Sequence, residues 1–332
     1  METRKVQVTG GSTYTVSIPK EWATERDIEA GSEIAFHPEG DGLFITPRTD
    51  AERTEGVLDI TDLEGDELMR AVTTMYVSGF DVIALEGSGI TTAQRGVVRE
   101  ATQSLVGLEV LEETHDRIVV RDLLDSSELS IHNAVTRMRL IALSMLEDAL
   151  TALVDLDGAA ARDVIGRDDD VDRLYMVVSR IFHETLRTPK AAEELGLPRE
   201  VCFDYHSSAR QLERIADHAT KIAHLSLTLD TPIPEDVSEA LLALYEEAEE
   251  VIDGAMAALF EDDSEAATRR ANEAREAVRE IDADARGIDE LLRDLDPARA
   301  QVLGLIVDSL SRSADYGGNI AETALQKAAP TP

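Results

Sequence analysis

Residues 211–223 read QLERIADHATKIA, and residues 309–321 read SLSRSADYGGNIA. Leu, Arg, Ala, Asp, Ile and Ala recur at the same offsets in both stretches. In the first, Leu212, Ile215, Ala216, Ala219, Ile222 and Ala223 form one apolar stripe at helical spacing. A helix of this kind, present twice, restricts the chain to a duplicated helical architecture. The hydrophobic rhythm around the two copies is helical almost without break from residue 126 to the end. Helices are predicted over about 127–156, 160–187, 198–228, 235–261, 264–294 and 298–328. RTPKAAEELGLPRE interrupts the first set, LDTPIPED separates the third and fourth helices, and DLDP marks the last turn. The expected body is therefore two three-helix bundles, 126–230 and 231–329.

The part before residue 126 has a different rhythm. RKVQVTG and TYTVSI alternate polar and apolar residues as half-buried strands do. PKEWATERDI starts with a proline suited to the first position of a helix. AGSEIAFHPEGDGLFITPR places two strands around Gly40-Asp41-Gly42, a hairpin signal. A unit of about 48 residues buries little apolar surface alone, so dimerisation is expected to complete its core. Residues 50–125 are predicted to be a small α/β connector: the helix DELMRAVTTMYVSG, the strand FDVIALEG, the helix TTAQRGVVREATQSLVG, and two strands in LEVLEETHDRIVVRDLL. Gly87-Ser88-Gly89 lies between strand and helix. It lacks a full Gly-x-Gly-x-x-Gly and a Walker lysine, so a plain turn is expected there.

The net charge is −35, with lysine only at positions 5, 20, 190, 221 and 327. Such a composition suits a high-salt, halophilic cytoplasm, where the Debye length falls to about 3 Å and self-repulsion is screened. It argues against general attraction to nucleic acid. A single cysteine, Cys202, excludes an internal disulfide. The start METRKVQVTGG has no apolar signal region, and no run of eighteen apolar residues occurs. A soluble cytoplasmic protein without a membrane span is expected.

Glu213 and Asp217 stand four apart, so their carboxylates project from one side of a helix. Asp168 and Asp172 stand four apart on the helix expected to pack beside it. Two helices could thus offer four carboxylates to one divalent ion or a small iron cluster, since hard cations take oxygen ligands. In the second copy Asp315 persists, Ser311 replaces the glutamate, and Asp282 and Asp289 are the candidates opposite. With 67 Asp and Glu, a solvated acidic face is the competing explanation. His206, His218 and His224 are expected at the surface or in packing, and Cys202 as a small buried residue. With no paired nucleophile and base and no phosphate cradle, the chain is not expected to be an enzyme; a metal-dependent hydrolase on these carboxylates is the weaker alternative.

Two resemblances follow from these motifs. RKVQVTGGSTYTVSIPKEW, DIEAGSEIAF and DGLFITPR together resemble the AbrB/SpoVT swapped-hairpin domain over residues 1–48. That resemblance implies an interleaved homodimer and, in many members, DNA binding, here through Arg4, Lys5, Lys20 and Arg48. Residues 1–50 carry five Lys/Arg against nine Asp/Glu, a net −4, so a head that only dimerises stands beside a head that binds promoter DNA. DDDVDRLYMVVSRIF, ARQLERIADHATKIA and SADYGGNIAETAL resemble the PhoU family over roughly 127–328. This second resemblance implies metal clusters on the acidic signatures and negative regulation of phosphate uptake through a phosphate-transport ABC system. An adaptor that docks on that transporter without touching DNA is the alternative.

Overall fold

The computed structural model describes residues 3–39, 42–47, 53–123 and 130–330. They form two compact units, residues 1–53 and 54–332.

In the first unit, β1 (Gln7–Thr9) pairs antiparallel with β2 (Thr13–Thr15). Gly10 and Gly11 both take positive φ in the turn between them, which glycine does without a Cβ clash. Helix α1 (Lys20–Glu25) follows, with Pro19 at the capping position just before it rather than as its first residue. Strands β3 (Ile34–Glu39) and β4 (Gly42–Pro47) then pair antiparallel from Ile34–Pro47 to Glu39–Gly42. This is the expected hairpin; its predicted turn residues Gly40 and Asp41 lie outside the described residues. Among the described residues of this unit only His37 is buried, and its ring Nε2 lies 3.0 Å from Thr46 Oγ1. Val6, Val8, Tyr14, Val16, Phe36, Leu43 and Phe44 are exposed.

The second unit opens with an α/β layer. Strand β5 (Glu55–Asp59), helix α2 (Gly65–Val77), strand β6 (Val82–Glu86), helix α3 (Thr92–Ser104) and strands β7 (Leu108–Glu113) and β8 (Arg117–Asp122) give the sheet order β5-β6-β8-β7. β5 and β6 are parallel, as a βαβ crossover requires, and the other pairs are antiparallel. One sheet face packs Ile83, Leu85, Ile118 and Val120 against Leu68, Val72, Tyr76, Val98 and Ala101 of the two helices. The Gly-Ser-Gly stretch is a tight turn: Gly89 N–H donates to Gly87 C=O at 2.8 Å, and Ile90 N–H to His115 C=O at 2.9 Å. Behind it, Thr91 and Gln94 form a reciprocal capping box, and Gln94 Nε2 also donates to Ile60 C=O and Leu63 C=O. Strand β5 was not expected. Gly56 and charged ends hide its alternation, and it sits at a sheet edge.

The body is helical: α4 (Ile131–Asp155), α5 (Gly158–Arg187), α6 (Pro189–Leu195), α7 (Arg199–Ser226), α8 (Glu235–Phe260), α9 (Ser264–Leu292) and α10 (Pro297–Ala328). α4, α5 and α7 form one three-helix bundle, and α8, α9 and α10 the other. Both share one continuous aliphatic core. Short α6 fills the predicted interruption. Thr188 caps it, Pro189 starts it, and Gly196 ends it at positive φ. Among the described residues no helix is long and apolar enough to cross a membrane.

The two copies of the repeated stretch pack directly on each other. Gln211 meets Asn319 at 3.2 Å, Arg214 lies over the Tyr316 ring, His218 is edge-tilted on the same ring, and Lys221 pairs with Asp308 at 3.7 Å. These contacts run antiparallel and centre on Ala216 and Ala314, equivalent alanines that are both fully buried. α4 and α8 also meet across the bundles, where Arg139 Nε donates to Asp253 Oδ1 at 2.7 Å. The body thus has an internal approximate dyad, expected of a duplicated unit burying its most apolar face against its own copy.

Candidate functional site

The candidate site lies along the seam between α5 and α7. Asp157 starts α5 by accepting from the Ala159 and Ala160 N–H groups, and Pro198 starts α7. Side-chain direction then brings Asp168 and Asp172 from α5 against Glu213 and Asp217 from α7. All four carboxyls have pKa values above the ordinary range. Burial and Asp217, then Asp172, raise Glu213 to about 7 against the opposing pull of Arg210. Burial, Asp168 and Asp217 raise Asp172 to about 6. Burial first and Asp217 next raise Asp168. Burial raises Asp217, with Arg210 and Arg214 opposing. Arg210 Nη1 donates to Glu213 Oε1 at 2.9 Å, while Glu213 Oε2 is buried without a hydrogen-bond partner. Arg210 and Arg214 therefore only partly offset a group of acids that still repel each other, and one Glu213 oxygen has no hydrogen-bond partner.

These donors fit a hard cation in kind: oxygen ligands, excess negative charge and an orphaned carboxylate oxygen. Among the described residues no group of three or more His, Cys, Asp or Glu side chains is placed so that it could hold a metal ion. An ion entering the seam would have to draw the carboxylates inward.

Next to the acids runs an aromatic column that the sequence did not announce. The His206 ring stacks on Phe182 at 4.7 Å and on Tyr175 at 5.8 Å, and Arg210 covers Tyr175 at 5.2 Å. Burial, with His183 and Arg210, depresses His206 to about 4, so it stays neutral. His206 is thus a packing residue, as expected, and its i, i+4 partner Arg210 is the link to Glu213. His218 packs in the dyad, also depressed by burial first and by Lys221. Cys202 is buried, and burial pushes its thiol up to about 11, which leaves it a poor nucleophile.

In the second bundle, burial raises Asp315, Asp282 and Asp308 add to this, and Arg312 opposes it. Asp282 and Asp289 are exposed on α9. Ser311 Oγ is buried without a partner. In the N-terminal unit, Arg4, Lys5 and Lys20 are exposed; Arg48 lies outside the described residues.

Comparison with known proteins follows the same division. Residues 135–226 match the PhoU domain. Residues 7–53 match "Antidote-toxin recognition MazE, bacterial antitoxin". A phosphate-specific transport system accessory protein PhoU homolog from Xylella fastidiosa (strain 9a5c) is 29 % identical over 201 residues, covering 58 % of this chain and 80 % of that protein. A homolog of the same name from Burkholderia sp is 33 % identical over 96 residues, 29 % of this chain and 38 % of that one. The crystal structure of the phosphate transport system regulatory protein PhoU from Streptococcus pneumoniae has a TM-score of 0.48 at 20 % identity, over 59 % of this chain and 91 % of that chain.

Proposed function

Because the chain carries a PhoU domain behind a MazE-like N-terminal domain, we propose that it regulates phosphate uptake. The observation that carries this is a match over 58 % of the chain to 80 % of the length of a relative named for phosphate-specific transport. In this function the body docks on a phosphate-transport ABC system. The N-terminal unit forms a homodimer and turns phosphate status into transcription by binding promoter DNA. Two features support a homodimer: the unit buries only His37 among its described residues, and it exposes seven large apolar side chains.

Arg4, Lys5 and Lys20 are the exposed cations that would meet DNA phosphates, with Arg48 as the fourth candidate. Promoter binding by the full chain across a series of KCl concentrations tests this. The slope of log K against log salt falls by about 0.9 for each phosphate that is no longer neutralised. Lys20→Ala should therefore lower it by about 2 in a dimer. A wild-type chain with no sequence-selective shift removes the DNA function and leaves the adaptor, which the net −4 of residues 1–50 favours.

The acidic seam is the proposed cation site, with Asp168, Asp172, Glu213 and Asp217 as ligands for a divalent ion or iron. The unpartnered Glu213 oxygen and the raised carboxyl pKa values support it. A bound cation would relieve both. The carboxylates act as ligands, and no reaction is assigned to them. Elemental content of protein purified without chelator, compared with a Glu213→Ala/Asp217→Ala variant, tests this: unchanged content rejects the seam.

A further inference from the structure

Both helices of the α/β layer lie on one face of its sheet, over Ile83, Leu85, Ile118 and Val120. Alternation along the strands turns the remaining residues the other way. Val57, Ala84, Val119 and Leu111 then form an apolar row across all four strands of this second face. Val57 and Leu111, at its two ends, are 67 % and 53 % exposed, and Ala84 and Val119 belong to neither apolar core of the unit. A charged row borders it on each side. One holds Glu55 on β5, Arg121 on β8 and Glu109 on β7; the other holds Asp59 on β5, Glu86 on β6 and Arg117 on β8. Arg117 comes no closer to Glu86 than 3.7 Å, and both side chains are about half exposed. Arg121 Nε is buried without a hydrogen-bond partner, although Glu109 is its cross-strand neighbour.

This pattern is self-complementary. With a second sheet turned over about a dyad parallel to the strands, β5 comes to lie over β7 and β6 over β8. The apolar rows then coincide, Val57 over Leu111 and Ala84 over Val119. Arg117 of each copy faces Glu86 of the other, and Arg121 gains Glu55 of the second copy beside its own Glu109. Salt screens such pairs less in a closed face than at an exposed surface. Joining two sheets edge to edge through β5 is disfavoured: centred on Val57, it sets Glu55 opposite Asp59 of the second copy, like charge on like. Resting on the homodimer proposed above for the N-terminal unit, we propose that these second sheet faces of two copies pack on each other within that dimer. The face measures about 19 Å by 17 Å, roughly 300 Å2 per copy, against about 800 Å2 per partner in a standard interface. It does not hold two chains alone. β4 ends at Pro47 and β5 begins at Glu55, so a dimer of the first unit ties two sheets together by short links and raises their effective concentration to the millimolar range.

Crosslinking of the full chain at high salt with a short bismaleimide tests this. Val57→Cys/Leu111→Cys should join two chains covalently. The parent, whose one thiol at Cys202 is buried, should not. Nor should Val57→Cys alone, because Val57 lies three strand spacings, about 14 Å, from Val57 of the second copy. In the double-cysteine chain Arg117→Glu should lower the crosslinked yield several-fold, and adding Glu86→Arg should restore it. Circular dichroism reports whether each variant is folded, and the restoring pair separates charge from misfolding. Twice the single-chain mass in light scattering without a crosslink between positions 57 and 111 overturns the sheet contact and leaves the N-terminal dimer standing. A yield unmoved by Arg117→Glu overturns the charge-matched dyad. A covalent dimer from Val57→Cys alone overturns it in favour of edge pairing. A wild type of single-chain mass overturns the N-terminal dimer and the sheet contact with it.

Discussion

Arg180 and Asp122 meet as a buried ion pair, Nη2 donating to Oδ2 at 2.8 Å with both side chains 5 % exposed. The same guanidinium donates to Tyr76 C=O at 2.7 Å and Phe80 C=O at 3.0 Å, lies over the Tyr76 ring, and approaches Asp81 and Glu184. Arg187, two turns further on, donates to Gly79 C=O at 2.6 Å. Together they fasten α5, the helix that carries Asp168 and Asp172, to the α/β layer.

Removing the guanidinium should be severe, because it takes away the buried ion pair to Asp122 and the donor to Phe80 C=O. Arg180→Ala is expected to destabilise by about 3–5 kcal/mol. Amide hydrogen exchange should rise first in β6 and β8, before the second bundle is affected. Arg180→Met, of similar length, separates packing from charge: it should still remove the ion pair to Asp122 and lose most of the same stability. Unchanged exchange in β6 and β8 would mean the layer is held by its apolar contacts alone.

The two glycines of the second repeat, Gly317 and Gly318, are explained by close packing. A Cβ on Gly317 would stand 2.9 Å from Val251 Cγ1 and 3.3 Å from the backbone of Ile252. Gly317→Ala should therefore cost about 1–3 kcal/mol of overpacking, more than the helix propensity it gains. Gly287, within α9, has nothing within 4 Å of such a Cβ. Gly287→Ala should instead raise stability by about 0.5–1 kcal/mol. Opposite shifts in the denaturation midpoints of the two variants check both statements.

Much of this molecule was legible in the sequence because its signals are local and repeated. The six long helices, their breaks and the β-rich start follow from periodicity, prolines and glycines. The convergence of Asp168 and Asp172 with Glu213 and Asp217 follows from i, i+4 spacing on two neighbouring helices. Strand β5 was not legible, because Glu55–Asp59 is short and owes its pairing to β6, a distant segment. The stack of Tyr175, Phe182 and His206 needed the register of α5 against α7, which spacing within one helix does not fix.

His206 makes its own, separable contribution to how stability responds to acid. Above the ordinary imidazole pKa near 6.5, folded and unfolded chains both hold the ring neutral. Below it the unfolded chain takes up a proton that the folded chain refuses until about pH 4, because burial, His183 and Arg210 disfavour the charge. The contribution of His206 to stability therefore falls from about pH 6.5 downward, as unfolding becomes coupled to proton uptake by this ring. His206→Gln removes that contribution. Its thermal midpoint relative to the parent should rise between pH 7 and pH 5 in chelator-treated protein. A constant difference across that range would show that the ring titrates alike in both states.

The N-terminal unit makes the last prediction. Val8 and Tyr14 are cross-strand partners in the β1–β2 hairpin, and both are more than half exposed. Phe36 in the β3–β4 hairpin is also exposed. A water-facing patch of this kind costs roughly 25 cal/mol for each Å2 it could otherwise bury, and an unpaired charge placed in a dimer core costs more. In high salt, light scattering should give the wild-type chain twice the mass of one copy. Val8→Asp/Phe36→Asp should return the mass of a single chain, with helical content unchanged because α4–α10 carry nearly all of it. A dimer that survives this variant would place the self-association in the helical body instead, and the exposed residues of the hairpins would then need another partner.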